Sequence, residues 1–161
     1  MKKLVSVIAG LLIGCGVVFL FRVLPESYTS LVGNVLFAIK KAVINEPYSA
    51  PYLFKVHLWF LWAEQTLAML LPIGLLSAIA VVIKTWTRES RLLVYSVLLV
   101  SVMTFLYWTA QVNNNVVHLL AELRAIARVQ CYVVATQAGL FFVFFGVMDA
   151  IFRRYQLRKR S

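Results

Sequence analysis

Acidic residues are scarce in this chain. It holds six, against sixteen Lys and Arg, and only one of the six is an aspartate, Asp149. Chemistry that needs a pair of aspartates therefore has no residues here. Cysteine is nearly as rare: Cys15 and Cys131 stand far apart in apolar surroundings, with no CxxC and no metal-ligand spacing, so they give no strong redox or zinc signal and read as small packing residues. No glycine-rich loop is present to cradle a phosphate, and no serine, histidine and acid stand at spacings that suggest nucleophilic catalysis. Charged residues of every kind make up only 14% of the chain, while 62% is apolar. That balance excludes an ordinary soluble domain and predicts an integral membrane protein of one domain.

What is present is a series of long apolar runs. Residues 4–21, 58–83, 92–110 and 129–152 are each long enough to cross a bilayer as a helix. The expected fold is therefore all-α: a four-transmembrane-helix bundle. Between the first two runs, Val32, Val35, Leu36, Ile39 and Val43 recur at helical spacing, with Ser30, Asn34, Lys40 and Lys41 elsewhere on the surface. This predicts an amphipathic surface helix over about 29–44, N-capped by Ser27, Thr29 or Ser30 after Pro25. Such a helix either covers the bundle or docks a partner. Residues 45–52 read as a turn-rich connector.

The net charge of +10 could point to nucleic acid, but its placement points to membrane orientation instead. With the N-terminus, the 84–91 loop and the C-terminus on one side, that side holds ten of the sixteen basic residues: Lys2, Lys3, Lys84, Arg88, Arg91, Arg153, Arg154, Arg158, Lys159 and Arg160. The positive-inside rule then predicts a bacterial inner-membrane protein with both termini cytoplasmic. Leu12-Ile13-Gly14-Cys15 also fits a permissive lipobox with Cys15 as the lipidated residue. The apolar run continues past Cys15, however, and favours an uncleaved helix.

The longest apolar stretch, 56–84, carries one carboxylate, Glu64, followed by Gln65. A carboxylate within such a helix is costly and faces a protein interior or a watery cavity. Counting 1.5 Å per residue from the outer end of each run puts Glu64 roughly 9 Å deep. Cys15, Thr104 and Thr136 fall near the same depth, with Gln65 and Gln137 just beneath. An outer polar layer is thus expected, in which Arg128 reaches down to pair with Glu64. A protonated or water-solvated Glu64, and a direct role in transport or catalysis, are the other readings.

Helix packing has its own signals. Gly10-x-x-x-Gly14 lets a neighbour approach closely, and Cys131, Ala135, Gly139, Gly146 and Ala150 form a small-residue stripe that is its expected partner. A metal site could draw on His57, His118 and Glu122, the last two being four apart on one face, but no metalloprotein motif supports it. No cofactor is expected.

The size and four-span layout resemble those of lipoprotein signal peptidases. That chemistry needs two aspartates at the outer membrane face, and Asp149 is alone and near the inner one. The expected function is non-enzymatic: packing against, or regulating, a partner membrane protein, as accessory subunits and immunity or exclusion proteins do. The expected partners are the bilayer and another membrane protein or a second copy, with no nucleic acid. A small transporter or channel using the polar layer around Glu64 is the alternative, and a membrane redox or oxygenase-type enzyme a third.

Overall fold

The computed structural model describes residues 1–43, 51–114 and 121–158. The described residues are all-helical apart from short turns. Helix α1 covers Lys2–Phe19 and tightens into a 3₁₀ turn, Leu20–Arg22; α2 covers Glu26–Val43, α3 Pro51–Thr87, α4 Ser90–Asn114 and α5 Ala121–Arg158. All but α2 are long and apolar enough to cross a membrane.

The four long helices form a closed ring. Helix α1 packs on α4, α4 on α5, α5 on α3, and α3 back on α1. The Ser6 hydroxyl donates to the Glu89 carbonyl at 2.9 Å, and Lys84 meets Asp149 at 2.6 Å. Both contacts lie at one end of the bundle, together with the N-terminus, the α3–α4 turn and the C-terminal part of α5. Ile13, Val17, Met69, Ile73, Ala80, Leu93, Val97 and Phe141 form the core.

Close approach of α1 to α4 depends on two glycines. A Cβ on Gly10 would stand 2.6 Å from Ser96 Cβ and 2.7 Å from the Leu93 carbonyl oxygen; one on Gly14 would stand 2.9 Å from Val100 Cβ. The partner of this face is therefore α4, not the small-residue stripe of α5. Along that stripe only Cys131 is buried. Ala135, Gly139, Gly146 and Ala150 are exposed, and nothing lies within 4 Å of a Cβ on Gly139 or Gly146. The outward exposure of α5 beyond Cys131 explains the difference.

Two helix starts differ from expectation. Helix α2 begins at Glu26, and the Thr29 and Ser30 hydroxyls bond back to the Glu26 and Ser27 carbonyls rather than capping. Pro51 and Tyr52 belong to α3, with Pro51 at its first position, where its missing N–H costs no helical bond. Val32 and Leu36 of α2 are half-buried, but Val35 and Ile39 are exposed; the Val43 side chain lies outside the described residues. Helix α5 runs unbroken through Arg128.

The α3–α4 turn is tight. Arg88 adopts φ 61°, the left-handed position that usually holds glycine after a helix. Its N–H still reaches the Lys84 carbonyl at 2.9 Å, closing α3, while Thr87 Oγ1 receives the Glu89 N–H at 3.3 Å.

Candidate functional site: a polar interior beneath an outward carboxylate

Cross-helix contacts set the levels of the residues. Gln65 meets Gln130, and Lys84 meets Asp149, at an offset of 65 positions. Ser77 meets Phe141 at an offset of 64. Helices α3 and α5 therefore run in the same direction, with these three contacts at an offset of 64 or 65, while the long Trp59 and Trp62 side chains reach farther along α5, to Tyr132 and Thr136. Helix α1 runs against α3: a Cβ on Gly16 would touch Leu76 at 3.0 Å, while farther along the chain Leu20 and Leu24 share a groove with the earlier residues Leu71 and Pro72.

The polar residues on α3, α4 and α5 fall into two tiers. In the outer tier, Gln130 Nε2 donates to Gln65 Oε1 at 3.3 Å, and Thr109 Oγ1 lies 3.8 Å from Cys131 Sγ. The buried Thr66 hydroxyl has no hydrogen-bond partner among the described residues. The inner tier lies roughly a turn and a half deeper. There the Trp62 indole N–H donates to Thr136 Oγ1 at 3.2 Å, and Thr136 donates in turn to the Tyr132 carbonyl at 2.7 Å. Thr104 donates to the Val100 carbonyl at 2.8 Å.

Gln137 completes this tier. It is fully buried, yet neither its Nε2 nor its Oε1 has a hydrogen-bond partner among the described residues. The α3–α5 register puts Gln137 level with Pro72, also buried. A proline lacks the N–H that would bond to the carbonyl four residues earlier, so the Ala68 carbonyl is freed on the opposite helix near the Gln137 amide level. The interior here is richer in polar bonding capacity than in bonds.

Glu64 belongs to neither tier. Its carboxylate faces α2, where Oε1 would lie 2.9 Å from a Cβ on Gly33. No hydrogen bond or ion pair to Glu64 is made among the described residues. Arg128 is at nearly the same level but exposed. It lines a groove of about 290 Å³ with Leu58, Trp59, Trp62, Ala125 and Tyr132, where Trp59 stacks on Tyr132 with ring centroids 6.4 Å apart. The expected Glu64–Arg128 pair is not formed, for a geometric reason. Trp62 faces the Arg128 groove, and two residues along a helix turn the side chain by about 200°. Glu64 accordingly points away from it.

Depth also differs from the count along each run. Cys15 lies beside Gly14 and Gly16, level with the region of Leu76, some twelve residues inward of Glu64. Thr104 shares its level with Thr136, not with Glu64, because each lies five residues inward of the Thr109–Cys131 contact. Six residues beyond Gly16, helix α1 ends near Arg22, level with Leu70. Glu64 lies six residues farther out still, about 9 Å beyond the end of α1.

A contact that sequence reading missed joins Lys84, Asp149 and Arg153. Asp149 binds Lys84 at 2.6 Å and Arg153 at 2.8 Å. Both partners stand at the same end of their runs, and that shared position was the available signal. Of the candidate metal ligands, His57 is exposed, and His118 and the Glu122 side chain lie outside the described residues. No group of three His, Cys, Asp or Glu able to hold a metal occurs among the described residues. The chain matches no protein-family model, no curated protein and no solved structure in comparison with them.

Proposed function

We propose that the chain is a multi-pass protein of a bacterial inner membrane, with both termini cytoplasmic, that works by packing against a partner membrane protein. Among the described residues, eight basic ones, Lys2, Lys3, Lys84, Arg88, Arg91, Arg153, Arg154 and Arg158, belong to the end that carries the N-terminus, the α3–α4 turn and the C-terminal part of α5, as the positive-inside rule requires. The observation that carries the partner reading is the open seam on α5. In lipid, helices associate where small residues let backbones come close. The Gly10 and Gly14 face is already filled by α4, whereas Ala135, Gly139, Gly146 and Ala150 run along roughly 22 Å of helix with nothing against the two glycines. A helix of another chain, or of a second copy, fits there without any rearrangement of the bundle.

The test is purification in mild detergent from the native host, for the wild-type chain and for Gly139→Leu. A stoichiometric companion, or a second copy, should leave with Gly139→Leu while the thermal stability of the chain itself holds. A wild-type chain that purifies alone as a monomer would sink the reading.

The transporter reading retains one observation in its favour, the unsatisfied Gln137 and Thr66 in the interior. It predicts proton or cation flux in proteoliposomes that Gln137→Leu abolishes. Absence of flux in the wild-type chain removes it. On either reading Glu64 sits at the outer headgroup level, beyond the end of α1, beneath α2.

A further inference from the structure

A second feature at the outer ends of α1 and α4 is a groove of about 440 Å³ lined by Phe19, Arg22, Met103, Thr104, Tyr107 and Trp108. Its polarity is graded along the bundle axis. Phe19 and Met103 form an exposed apolar lower part. Arg22, Tyr107 and Trp108 form the rim, and the Arg22 guanidinium carbon lies 5.8 Å from the centre of the Trp108 ring. Tyr107 packs edge-on against the same ring, centroids 5.5 Å apart. The Thr104 hydroxyl already donates to the Val100 carbonyl, so Arg22 and Tyr107 are the polar groups available to an occupant.

Among the described residues the charge of the groove is uncompensated. No described carboxylate lines it, and the pairs of Asp149 with Lys84 and Arg153 lie at the other end of the bundle. A guanidinium set beside an indole in this way still has N–H groups to offer an oxyanion, and its planar fork matches a phosphate.

We propose that this groove binds an anionic phospholipid of the outer leaflet, its phosphodiester on Arg22 and the Tyr107 hydroxyl, and one acyl chain along Phe19 and Met103. The proposal rests on the reading above that α1 and α4 span the bilayer with Arg22 at the outer face. Three features select this occupant: an unpaired cation, a phenol beside it, and an apolar trough directed toward the middle of the bundle. A free phosphate would use the first two and leave the trough unexplained.

The test uses the quenching of Trp108. The full chain is reconstituted in phosphatidylcholine vesicles that hold a small fraction of either dibrominated phosphatidylglycerol or dibrominated phosphatidylcholine. The Trp108 part of the signal is the difference between the wild-type chain and Trp108→Phe. Brominated phosphatidylglycerol should quench this part more strongly, corresponding to a local enrichment of about fivefold for one arginine at the surface. Arg22→Gln should equalise the two lipids, and Arg22→Lys should retain part of the preference. Equal quenching by both lipids in the wild-type chain overturns the proposal while leaving the spanning reading intact. No quenching by either lipid overturns the spanning reading itself. Loss of the preference on adding millimolar inorganic phosphate would assign the site to free phosphate and overturn the lipid. Should Trp108→Phe fail to fold, native mass spectrometry of wild-type and Arg22→Gln chains, counting retained phosphatidylglycerol, decides the same point.

Discussion

Replacing Gly10 by alanine adds one methyl group where α1 meets α4. The new Cβ would stand 2.6 Å from Ser96 Cβ, 2.7 Å from the Leu93 carbonyl oxygen and 3.2 Å from Leu93 Cα. Two of these three atoms are backbone, so no side-chain rotation relieves the clash. The helices must separate locally by about 1 Å to reach ordinary carbon contact. Ser6 anchors the same interface one turn away through the Glu89 carbonyl, and separation strains that bond as well. Overpacking of this kind costs about 1–3 kcal/mol, partly offset by the higher helix propensity of alanine, which contributes up to about 1 kcal/mol in water. The expected result is a net loss of about 1–2 kcal/mol, read by titrating the chain from mild detergent into a denaturing one and following helix content. Gly139→Ala is the internal control. With nothing within 4 Å of its Cβ, it should leave the monomer unchanged within about 0.5 kcal/mol. Wild-type stability for Gly10→Ala, or an equal loss for Gly139→Ala, would refute the assignment of α4 as the partner of this glycine face.

Two other substitutions test the end of the bundle that holds both termini. Arg88→Gly relieves a left-handed backbone at φ 61° and should stabilise the chain by about 0.5–1 kcal/mol in the same titration; a loss would show that the arginine side chain matters more than its backbone. Asp149→Asn leaves Lys84, whose side chain is only 17% exposed, without its carboxylate. The cost should be about 1–3 kcal/mol, scaled down for the partial exposure, and Lys84→Met in the same chain should recover most of it. Failure of the double substitution to recover would mean that Arg153, also on Asp149, carries the interaction.

The all-helical class and the four long apolar helices were legible because apolar runs of this length have a single physical solution in which every backbone group is bonded. The order of helices around the ring was not. Nothing in the periodicity of Gly10 and Gly14 distinguishes α4 from α5 as a partner, since any helix can lie against a small-residue face. The α5 stripe looked equally suitable, and only the contacts reveal that one face is filled and the other open. The Lys84–Asp149 contact was within reach of sequence reasoning, because two opposite charges ended adjacent runs at one side. The orphaned Gln137 amide was legible only as a polar residue at depth; that its atoms lack partners depends on the packing of Val133, Val134 and Phe141 around that level.

The misplacement of Glu64 has a specific cause. Counting inward from the end of each apolar run assumes that all the runs end at one plane. They do not: α1 with its 3₁₀ turn is used up at Arg22, while α3 continues outward past Leu67, Glu64 and Trp59 to Pro51. Exposed large apolar residues follow the same boundary among the described side chains, since on α4 they stop at Tyr107 and on α3 they thin out beyond Leu67, leaving Trp59. The apolar character of α3 beyond that boundary comes partly from the surfaces that α2 and α5 cover, not from a lipid-facing requirement. A carboxylate at that level is only partly buried, so it needs no buried counter-ion. The physical reason for expecting Arg128 beside Glu64 therefore disappears together with the depth. The costly polar groups among the described residues are the Thr66 hydroxyl and, with two unpartnered atoms and seven residues deeper than Gln130 on the same helix, the Gln137 amide.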